Sequence, residues 1–317
     1  MRRSHPAMKP FKLFASKPVA ATTIPPPTSP PRPPLAVTSY GLSDCGRVRA
    51  TNEDRFAVAD LARSLRVHHT NLPQNPASYS SHRGHILLVA DGVGGNKAGE
   101  VASGLTVRTV EDFLLNTIRR FSNLQAGEEQ AALLDLQTAL FQADSRIFEE
   151  AARHPEWCGM GTTLTLAFAV NRRLFVAHAG DSRCYLHSAG RLQQLTQDHT
   201  VTAEMVRCGL LPPEKQAGHP YRHIVTNLIG GTEAGVRVEL HALDLHDEDV
   251  VLLCSDGLTE MVSDARIAAI LHTDREPRVA CERLVAAANE AGGKDNVTVV
   301  VAHFHTSQVG GAPATAV

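Results

Sequence analysis

The chain of 317 residues lacks the features that mark several large classes of protein. No apolar run approaches the roughly 18 residues of a membrane-spanning helix. Lys12, Lys17 and Pro18 interrupt the apolar stretch near the start, so no secretion signal is predicted either. Neither charge is in excess, with 31 basic and 33 acidic residues, which removes the electrostatic argument for a nucleic-acid or membrane-surface partner. We therefore expect a cytoplasmic protein.

The six cysteines form no C-x-x-C pair, and no matching histidine cluster accompanies them, so a structural zinc site is disfavoured. Cys184 and Cys254 lie within apolar runs, where a cysteine is usually a small buried hydrophobe. We expect all six to be reduced thiols, as is usual in the cytosol.

Acidic residues are absent from residues 1–34, which hold ten of the 18 prolines and six basic residues. Because proline fixes φ and donates no backbone hydrogen bond, residues 1–35 are predicted to be a disordered, basic, proline-rich leader. Its proline runs could instead dock onto an aromatic groove. Small polar residues predict a flexible tail over 307–317, which leaves one domain over 36–306.

Within this domain, strands and helices are predicted in separate blocks. Short or alternating apolar runs predict strands at 36–42, 55–59, 86–90, 162–170, 173–179, 183–188, 191–195, 236–241, 249–254 and 297–304. Helical spacing predicts helices at 98–120, 128–153, 201–209, 264–271 and 276–291. The polar residues 61–84 are predicted to be a surface loop. Because regular βαβ alternation is absent, the pattern favours an α+β fold of antiparallel sheets with helices outside.

Several aspartates lie at the ends of predicted strands. Asp91, Asp181 and Asp256 follow apolar runs, whereas Asp54 and Asp295 precede strands. Hard divalent cations need oxygen ligands from separate, rigidly held parts of a chain, and strand ends supply that rigidity. One Asp-Gly pair at a strand end is usually only a turn, so this hypothesis depends on several occurring together. Without histidine or cysteine clusters, magnesium or manganese is favoured over zinc.

Taken in order, these segments resemble the metal-dependent protein serine/threonine phosphatase family, type 2C, in its bacterial form. The similar segments span residues 46 to 301 and occur in the order of the family. They are 46–54 (GRVRATNED), 90–95 (ADGVGG) with 98–103 (AGEVAS), 160–163 (MGTT), 180–183 (GDSR), 195–200 (LTQDHT), 254–258 (CSDGL) and 294–298 (KDNVT). Residues 200–233 correspond to the flap beside the active site.

The resemblance implies a fold, an activity and partners. The fold would be a four-layer α-β-β-α sandwich of two antiparallel sheets flanked by helices. The activity would be hydrolysis of phosphoserine and phosphothreonine in proteins, by in-line attack of a hydroxide that bridges two Mn2+ or Mg2+ ions. A monomer that acts on phosphoproteins and opposes a serine/threonine kinase in bacterial signal transduction is expected.

The resemblance also implies which residues hold the metals. Asp91 would be catalytic and bridge the two ions, and the Gly92 carbonyl would bind one of them. Asp256 and Asp295 would hold the other. Strand-end carboxylates suit this role because two like charges about 4 Å apart repel by about 4 kcal/mol at an effective dielectric near 20, so a convergent cluster requires countercharge.

Further roles are implied around this pair of ions. Glu53 and Asp54 would hold metal-bound water, and Asp181 with Asp256 would form the weaker third metal site of bacterial members. Arg49 would be the catalytic phosphate-binding residue, because a guanidinium offers planar, bidentate donors. Outside this context Arg49 would be an ordinary surface arginine.

One position departs from part of the family. Some members have a histidine two residues after the bridging aspartate, where this chain has Val93. The general acid is therefore open, and a metal-bound water could serve. Four histidines are weak candidates, each more typical of a structural or surface role: His85, His178, His199 and His223.

Two other functions are compatible with the resemblance. A non-catalytic member could act as a sensor or binding module, but every expected acidic position is present. A phosphatase could act on a small phosphorylated metabolite, but the open, polar flap favours protein substrates.

Overall fold

The computed structural model describes residues 35–62, 83–94, 98–121 and 129–306. These residues all lie in one compact unit. The predicted tail lies outside the described residues, as does the predicted leader except for Leu35, which belongs to the first strand and not to a leader. Most of the predicted loop at 61–84 also lies outside them, and its described ends, 61–62 and 83–84, are strand residues and not loop. Among the helices of the described residues, none is long and apolar enough to cross a membrane.

The described elements follow the predicted order. The strands are β1 Leu35–Asp44, β2 Arg55–Ala62, β3 Arg83–Ala90, β4 Gly92–Val93, β5 Gly161–Thr162, β6 Leu164–Val170, β7 Arg173–Ala179, β8 Arg183–Ser188, β9 Arg191–Gln194, β10 Ile229–Gly230, β11 Glu239–Asp244, β12 Val250–Cys254 and β13 Val297–Thr306. The helices are α1 Ala98–Phe121, α2 Glu129–Arg153, α3 Val201–Arg207, α4 Asp256–Thr259, α5 Asp264–Thr273 and α6 Pro277–Glu290.

Two five-stranded antiparallel sheets form the centre of the fold. Their strand orders are β1-β13-β12-β8-β9 and β11-β7-β6-β3-β2, and a small third sheet has the order β10-β5-β4. One hydrophobic cluster lies between the two large sheets. A second cluster packs α1 and α2 on the outer face of one sheet, and a third packs α5 and α6 on the other. This arrangement confirms the predicted α-β-β-α sandwich.

Coverage on both faces explains the character of the central strands. Strands β6 and β12 are buried at every residue, and their sequences, LTLAFAV and VVLLC, are almost continuously apolar. A half-exposed strand would instead alternate apolar and polar residues. All six cysteines are free, and three of them, Cys184, Cys254 and Cys281, are buried.

Candidate active site

The strand register brings the predicted aspartates to one edge of the sandwich. Arg55 pairs with Ala90, so Asp54 and Asp91 extend from neighbouring strand ends. In the opposite sheet, Cys254 at the end of β12 pairs with Arg183 at the start of β8. Asp256, two residues after Cys254, and Asp181, two residues before Arg183, therefore lie at the same edge of that sheet. Because the two sheets stack face to face, ends from both converge on one site.

Asp91 lies at the centre of this convergence. Burial raises the pKa of its carboxyl well above the ordinary value, and the charges of Asp54, Asp256, Asp181 and Asp295 raise it further. Each neighbour must therefore lie close enough to interact electrostatically with Asp91. The predicted set of aspartates thus forms one cluster in the structure.

Small polar side chains hold the backbone of Asp91. The amide of Asp91 donates to Oγ1 of Thr163 over 3.0 Å, and the Thr162 hydroxyl donates to the Asp91 carbonyl over 2.8 Å. Thr163 also hydrogen-bonds the hydroxyl of Ser182 over 2.7 Å. Thr163 therefore links the backbone of Asp91 to the turn that carries Asp181.

Asp54 lies beneath the cluster and is only 2% exposed. Its Oδ2 accepts a hydrogen bond of 2.7 Å from the Ser255 hydroxyl. Its Oδ1 is buried and has no hydrogen-bond donor among the described residues. Burial raises the pKa of Asp54 to about 6, although hydrogen bonds from Thr298 and Ser255 oppose the shift.

The carboxylates of Asp181 and Asp256 form the other half of the cluster. Burial, followed by the charge of Asp198, raises the pKa of Asp181 to about 7. Burial, followed by the charge of Asp181, raises the pKa of Asp256 well above the ordinary value. Asp198 itself is held by Arg183 through two hydrogen bonds of 2.8 and 2.7 Å.

Arg49 and Asp295 form an ion pair at the mouth of the site. Nη2 of Arg49 lies 2.6 Å from Oδ2 of Asp295, and both side chains remain accessible, at 54% and 35% exposure. Asn296, next to Asp295, accepts a hydrogen bond of 2.8 Å from the Glu53 amide and donates to the Cys45 and Thr51 carbonyls. Asn296 therefore fixes the loop that carries Arg49 and Glu53.

Glycine is required after two of the aspartates because backbones approach closely there. A Cβ atom on Gly92 would lie 2.2 Å from the Gly99 carbonyl oxygen. One on Gly257 would lie 1.9 Å from the Asn296 carbonyl oxygen. The Asp-Gly pairs thus let strand ends and loops pack together around the carboxylates.

Seven of the eight predicted site residues line one cavity of about 530 Å³. The eighth, Asp54, is not among its lining residues. The lining also includes Val93, Arg222, His223 and Lys294, and His223 is the only one of the four histidines named above that it includes. The predicted residues that line it are Arg49, Glu53, Asp91, Gly92, Asp181, Asp256 and Asp295.

This donor set fits hard divalent cations. The clustered side chains offer carboxylate oxygens, several of which have strongly raised pKa values because they are buried beside like charges. The buried Asp54 Oδ1 atom has no partner among the described residues. A cation would neutralise the repulsion, and oxygen-only ligands suit Mg2+ and Mn2+.

His199 has a positioning role that sequence reasoning did not assign. Its Nδ1 accepts hydrogen bonds from the Gly180 amide over 3.1 Å and from Nδ2 of Asn227 over 3.0 Å. Its Nε2 lies 3.5 Å from Oε2 of Glu239. The ring therefore connects the turn before Asp181 to the end of the flap. The only signal in the sequence was the position of His199 within 195–200.

Comparison with known proteins agrees with this geometry. A sequence model of the family described as protein phosphatase 2C matches residues 69–289. The serine/threonine phosphatase stp of Listeria innocua is 33% identical over 268 residues, which cover 84% of this chain and 96% of that protein. The serine/threonine protein phosphatase PstP of Mycobacterium tuberculosis is 36% identical over 270 residues, which cover 84% of this chain and 45% of PstP.

Solved structures of such phosphatases superimpose on the chain. The Mycobacterium tuberculosis phosphatase PstP/Ppp matches with a TM-score of 0.69 and 34% identity over 86% of this chain and 99% of that chain. The catalytic domain of PstP in complex with two manganese ions matches with a TM-score of 0.67 and 33% identity, also over 86% and 99%.

Proposed function

The chain belongs to the protein phosphatase 2C family and is a metal-dependent serine/threonine protein phosphatase, and we propose that the cavity around Asp91 is its active site. One observation carries this proposal. Five aspartates from both sheets interact at one edge of the fold, and burial raises the pKa of the central carboxyl well above its ordinary value. Such a cluster is costly without cations.

We assign the metal ligands by position in this cluster. Asp91, the Gly92 carbonyl, Asp256 and Asp295 would hold the two Mn2+ or Mg2+ ions. Glu53 and Asp54 would hold metal-bound water, and Asp181 with Asp256 would form the weaker third metal site. When bound, the ions supply Lewis-acid chemistry, lowering the pKa of water and polarising phosphoryl oxygen. The raised pKa values of Asp91 and Asp256 support this assignment, because a carboxylate that is buried beside like charges is stabilised by a nearby positive charge.

The protein itself orients the phosphate. Arg49 lies at the cavity mouth with about half its side chain exposed. Asp295 is its hydrogen-bond partner among the described residues, so its remaining N–H groups can bind a phosphate dianion in a bidentate manner. Asp295 fixes the guanidinium through the ion pair of 2.6 Å. Val93 lines the cavity and has no proton to give, so another group must protonate the leaving oxygen.

The cellular role is part of the proposal. We propose that the enzyme acts in the cytoplasm as a monomer and removes phosphate that a serine/threonine kinase has added in bacterial signalling. The Listeria and Mycobacterium relatives are serine/threonine phosphatases, which supports protein-bound phosphate as the substrate.

Hydrolysis of a phosphothreonine peptide tests the active-site assignment. With Mn2+ we expect phosphate release by the wild type, and with excess chelator we expect none. Asp256→Ala should lose about two to three orders of magnitude in kcat, as expected when charge stabilisation at the reacting group is removed. Asp112→Asn, which changes an exposed aspartate of α1 away from the cluster, is the matched control.

Two results would contradict the assignment. One is hydrolysis by the wild type that is independent of Mn2+. The other is an Asp256→Ala enzyme with wild-type kcat and normal Mn2+ dependence.

A further inference from the structure

Two stacked imidazoles hold the backbone of Gly180, the residue before Asp181. The ring centroids of His178 and His199 lie 4.9 Å apart. Nε2 of His178 donates to the Gly180 carbonyl over 3.1 Å, and Nδ1 of His199 accepts from the Gly180 amide over 3.1 Å. The His199 amide donates to the same carbonyl over 2.8 Å. Both histidines therefore fix the turn that carries Asp181.

His199 also holds the end of the flap. Its carbonyl accepts from the Thr226 amide over 2.8 Å and from the Thr226 hydroxyl over 3.1 Å. Its Nδ1 accepts from Nδ2 of Asn227 over 3.0 Å, and the side-chain amide of Asn227 also bonds the backbone of Arg237. One histidine therefore ties the turn at Gly180 to the last part of the flap.

Glu239 is the carboxylate beside this histidine pair. It begins β11 and pairs in register with His178 of β7. Its Oε2 accepts from the Gln197 amide over 3.1 Å and lies 3.5 Å from Nε2 of His199, while its Oε1 accepts from Nε2 of His241 over 2.6 Å. Burial alone would raise the pKa of Glu239, but the imidazoles of His199 and His241 lower it overall. The group is therefore an ionised carboxylate with a fixed orientation.

The contacts of His199 specify which ring nitrogen carries the proton. Because Nδ1 accepts from the N–H groups of Gly180 and Asn227, it has no proton of its own. In the neutral ring the proton is then on Nε2, which faces the Glu239 carboxylate. Glu239 therefore favours the tautomer in which Nδ1 remains an acceptor for the two segments that it joins.

Hydrogen bonds, rather than a metal ion, account for this cluster. Ligand atoms of His178, His199 and Glu239 lie within 4.8 Å of one another, which is close enough for metal binding. However, both ring nitrogens of His178 already have hydrogen-bond partners, and so has Nδ1 of His199. The cluster therefore supports the backbone around it.

We propose that Glu239 is a positioning residue for phosphopeptide hydrolysis, acting through His199 to hold the Asp181 turn and the end of the flap in one fixed arrangement. Neither His199 nor Glu239 lines the active-site cavity, so their effect on the reaction is indirect. Loss of the contacts at Nδ1 would let the turn and the flap move independently. The inference rests on the proposed function only in that Asp181 and the flap belong to that active site.

Two substitutions of His199 separate the acceptor at Nδ1 from the bulk of the ring. Asparagine places an amide oxygen near the position of Nδ1, whereas glutamine places its amide near Nε2 and away from Gly180. With Mn2+ and a phosphothreonine peptide, we expect His199→Gln to lower kcat/KM by about tenfold to a hundredfold, because misplacement of groups remote from the chemistry is costly. His199→Asn should recover most of this loss. Equal losses in the two variants would mean that ring packing matters rather than Nδ1, and would overturn the proposal.

Glu239→Ala removes the carboxylate and leaves the ring in place, so it tests the proposal even if His199→Gln does not fold. We expect kcat/KM to fall by about tenfold to a hundredfold here too. Adding His199→Gln should cost little more, because both changes act on the same contact. Asp244→Ala is the matched control, because Asp244 is an exposed carboxylate at the other end of β11, paired with Arg173. Glu239→Ala with the activity of Asp244→Ala contradicts the proposal.

Hydrogen exchange in the full-length protein supplies a measurement that does not depend on activity. The Gly180 amide donates to the His199 ring, so its exchange should be slow in the wild type and in His199→Asn. In Glu239→Ala and His199→Gln we expect it to be about two- to tenfold faster, the effect of losing one hydrogen bond. Exchange at the wild-type rate in Glu239→Ala means that Glu239 does not fix the turn.

The two measurements together separate failure of this inference from failure of the active-site assignment. Hydrolysis that depends on Mn2+ and Asp256, together with unchanged Gly180 exchange in Glu239→Ala, would overturn the role of Glu239 and leave the active-site assignment intact. If the wild type did not hydrolyse the peptide with Mn2+, the active-site assignment would fail, and Gly180 exchange would still decide whether Glu239 fixes the turn.

Discussion

The Asp54 carboxylate receives a hydrogen bond from Ser255 and keeps its other oxygen unpartnered among the described residues. Leaving a buried acceptor unsatisfied costs about 1–3 kcal/mol. A water molecule could satisfy the oxygen but would leave the charge of Asp54 facing that of Asp91. A cation would both bind the unpartnered oxygen and neutralise the repulsion between Asp54 and Asp91. The unpartnered atom therefore favours a metal centre over a merely polar pocket.

His178 makes stability depend on pH. The side chain is fully buried, and burial, followed by the charge of His199, lowers its pKa to about 4. The unfolded chain binds a proton below about 6.5, but the native state does not until about 4, so stability falls as pH falls through this window. Between pH 7.5 and 5 we expect a loss of about 2 kcal/mol from this residue.

Urea unfolding at the two pH values measures this effect. The difference in unfolding free energy between pH 7.5 and pH 5, rather than the absolute stability, should be smaller by about 2 kcal/mol in His178→Gln. His272→Gln, which replaces an exposed histidine with no ion pair among the described residues, is the matched control. If this difference were the same in His178→Gln as in the wild type, His178 would not be the group that makes stability depend on pH in this range.

Close backbone approach, rather than turn formation alone, explains the Asp-Gly pair that opens α4. In Gly257→Ala the added methyl group would meet the Asn296 carbonyl oxygen, so α4 must move away from the loop before β13. We expect a loss of about 1–3 kcal/mol in stability and a large loss of activity that depends on Mn2+, because Asp256 and Asp295 lie on the two displaced segments.

Gly104→Ala provides the matched control for this change. Gly104 lies within α1, and no atom of the described part of the chain lies within 4 Å of its Cβ position. Alanine there should stabilise the helix by about 1 kcal/mol and leave activity unchanged. Thermal unfolding and kcat measured on both variants test the pair, and a Gly257→Ala enzyme as stable and active as Gly104→Ala would refute the argument.

Long elements were predictable because their patterns are local. All the predicted strands and helices overlap observed ones, and the strand expected at 236–241 is displaced to Glu239–Asp244. The two-residue strands β4 and β10 and the four-residue α4 were not predicted, because such short pieces show no periodicity. Their boundaries are decided by contacts with other segments.

The same distinction holds for the site. The order of short segments predicted a cluster of aspartates, and the structure brings these residues together. The contacts of His199 with Gly180 and Asn227, and of His223 with Glu260, join residues 19 to 37 positions apart and leave no pattern in the sequence. The positioning contacts of His199 and the ion pair of His223 therefore appeared only in three dimensions.

The carboxylate cluster joins the two sheets of the whole molecule, so metal content should govern its overall stability. Asp54 and Asp91 extend from one sheet, Asp256 and Asp295 from the other. Without metal, these groups either repel one another or take up protons far from their ordinary pKa, and both cost folding free energy. A ligand that binds only the native state adds about 2.7 kcal/mol when its free concentration is about 100 times Kd.

Asp91→Asn tests this coupling between charge and stability. Removing the central charge should raise the melting temperature of the metal-free protein, by about 2–4 °C for each kcal/mol of carboxylate repulsion that is removed. The same change removes the proposed bridging ligand, so the upward shift that Mn2+ produces in the wild type should largely disappear. Scanning calorimetry with chelator and with Mn2+ gives both quantities. If metal-free Asp91→Asn melted below the wild type and still responded fully to Mn2+, Asp91 would be a structural residue and the cations would bind elsewhere.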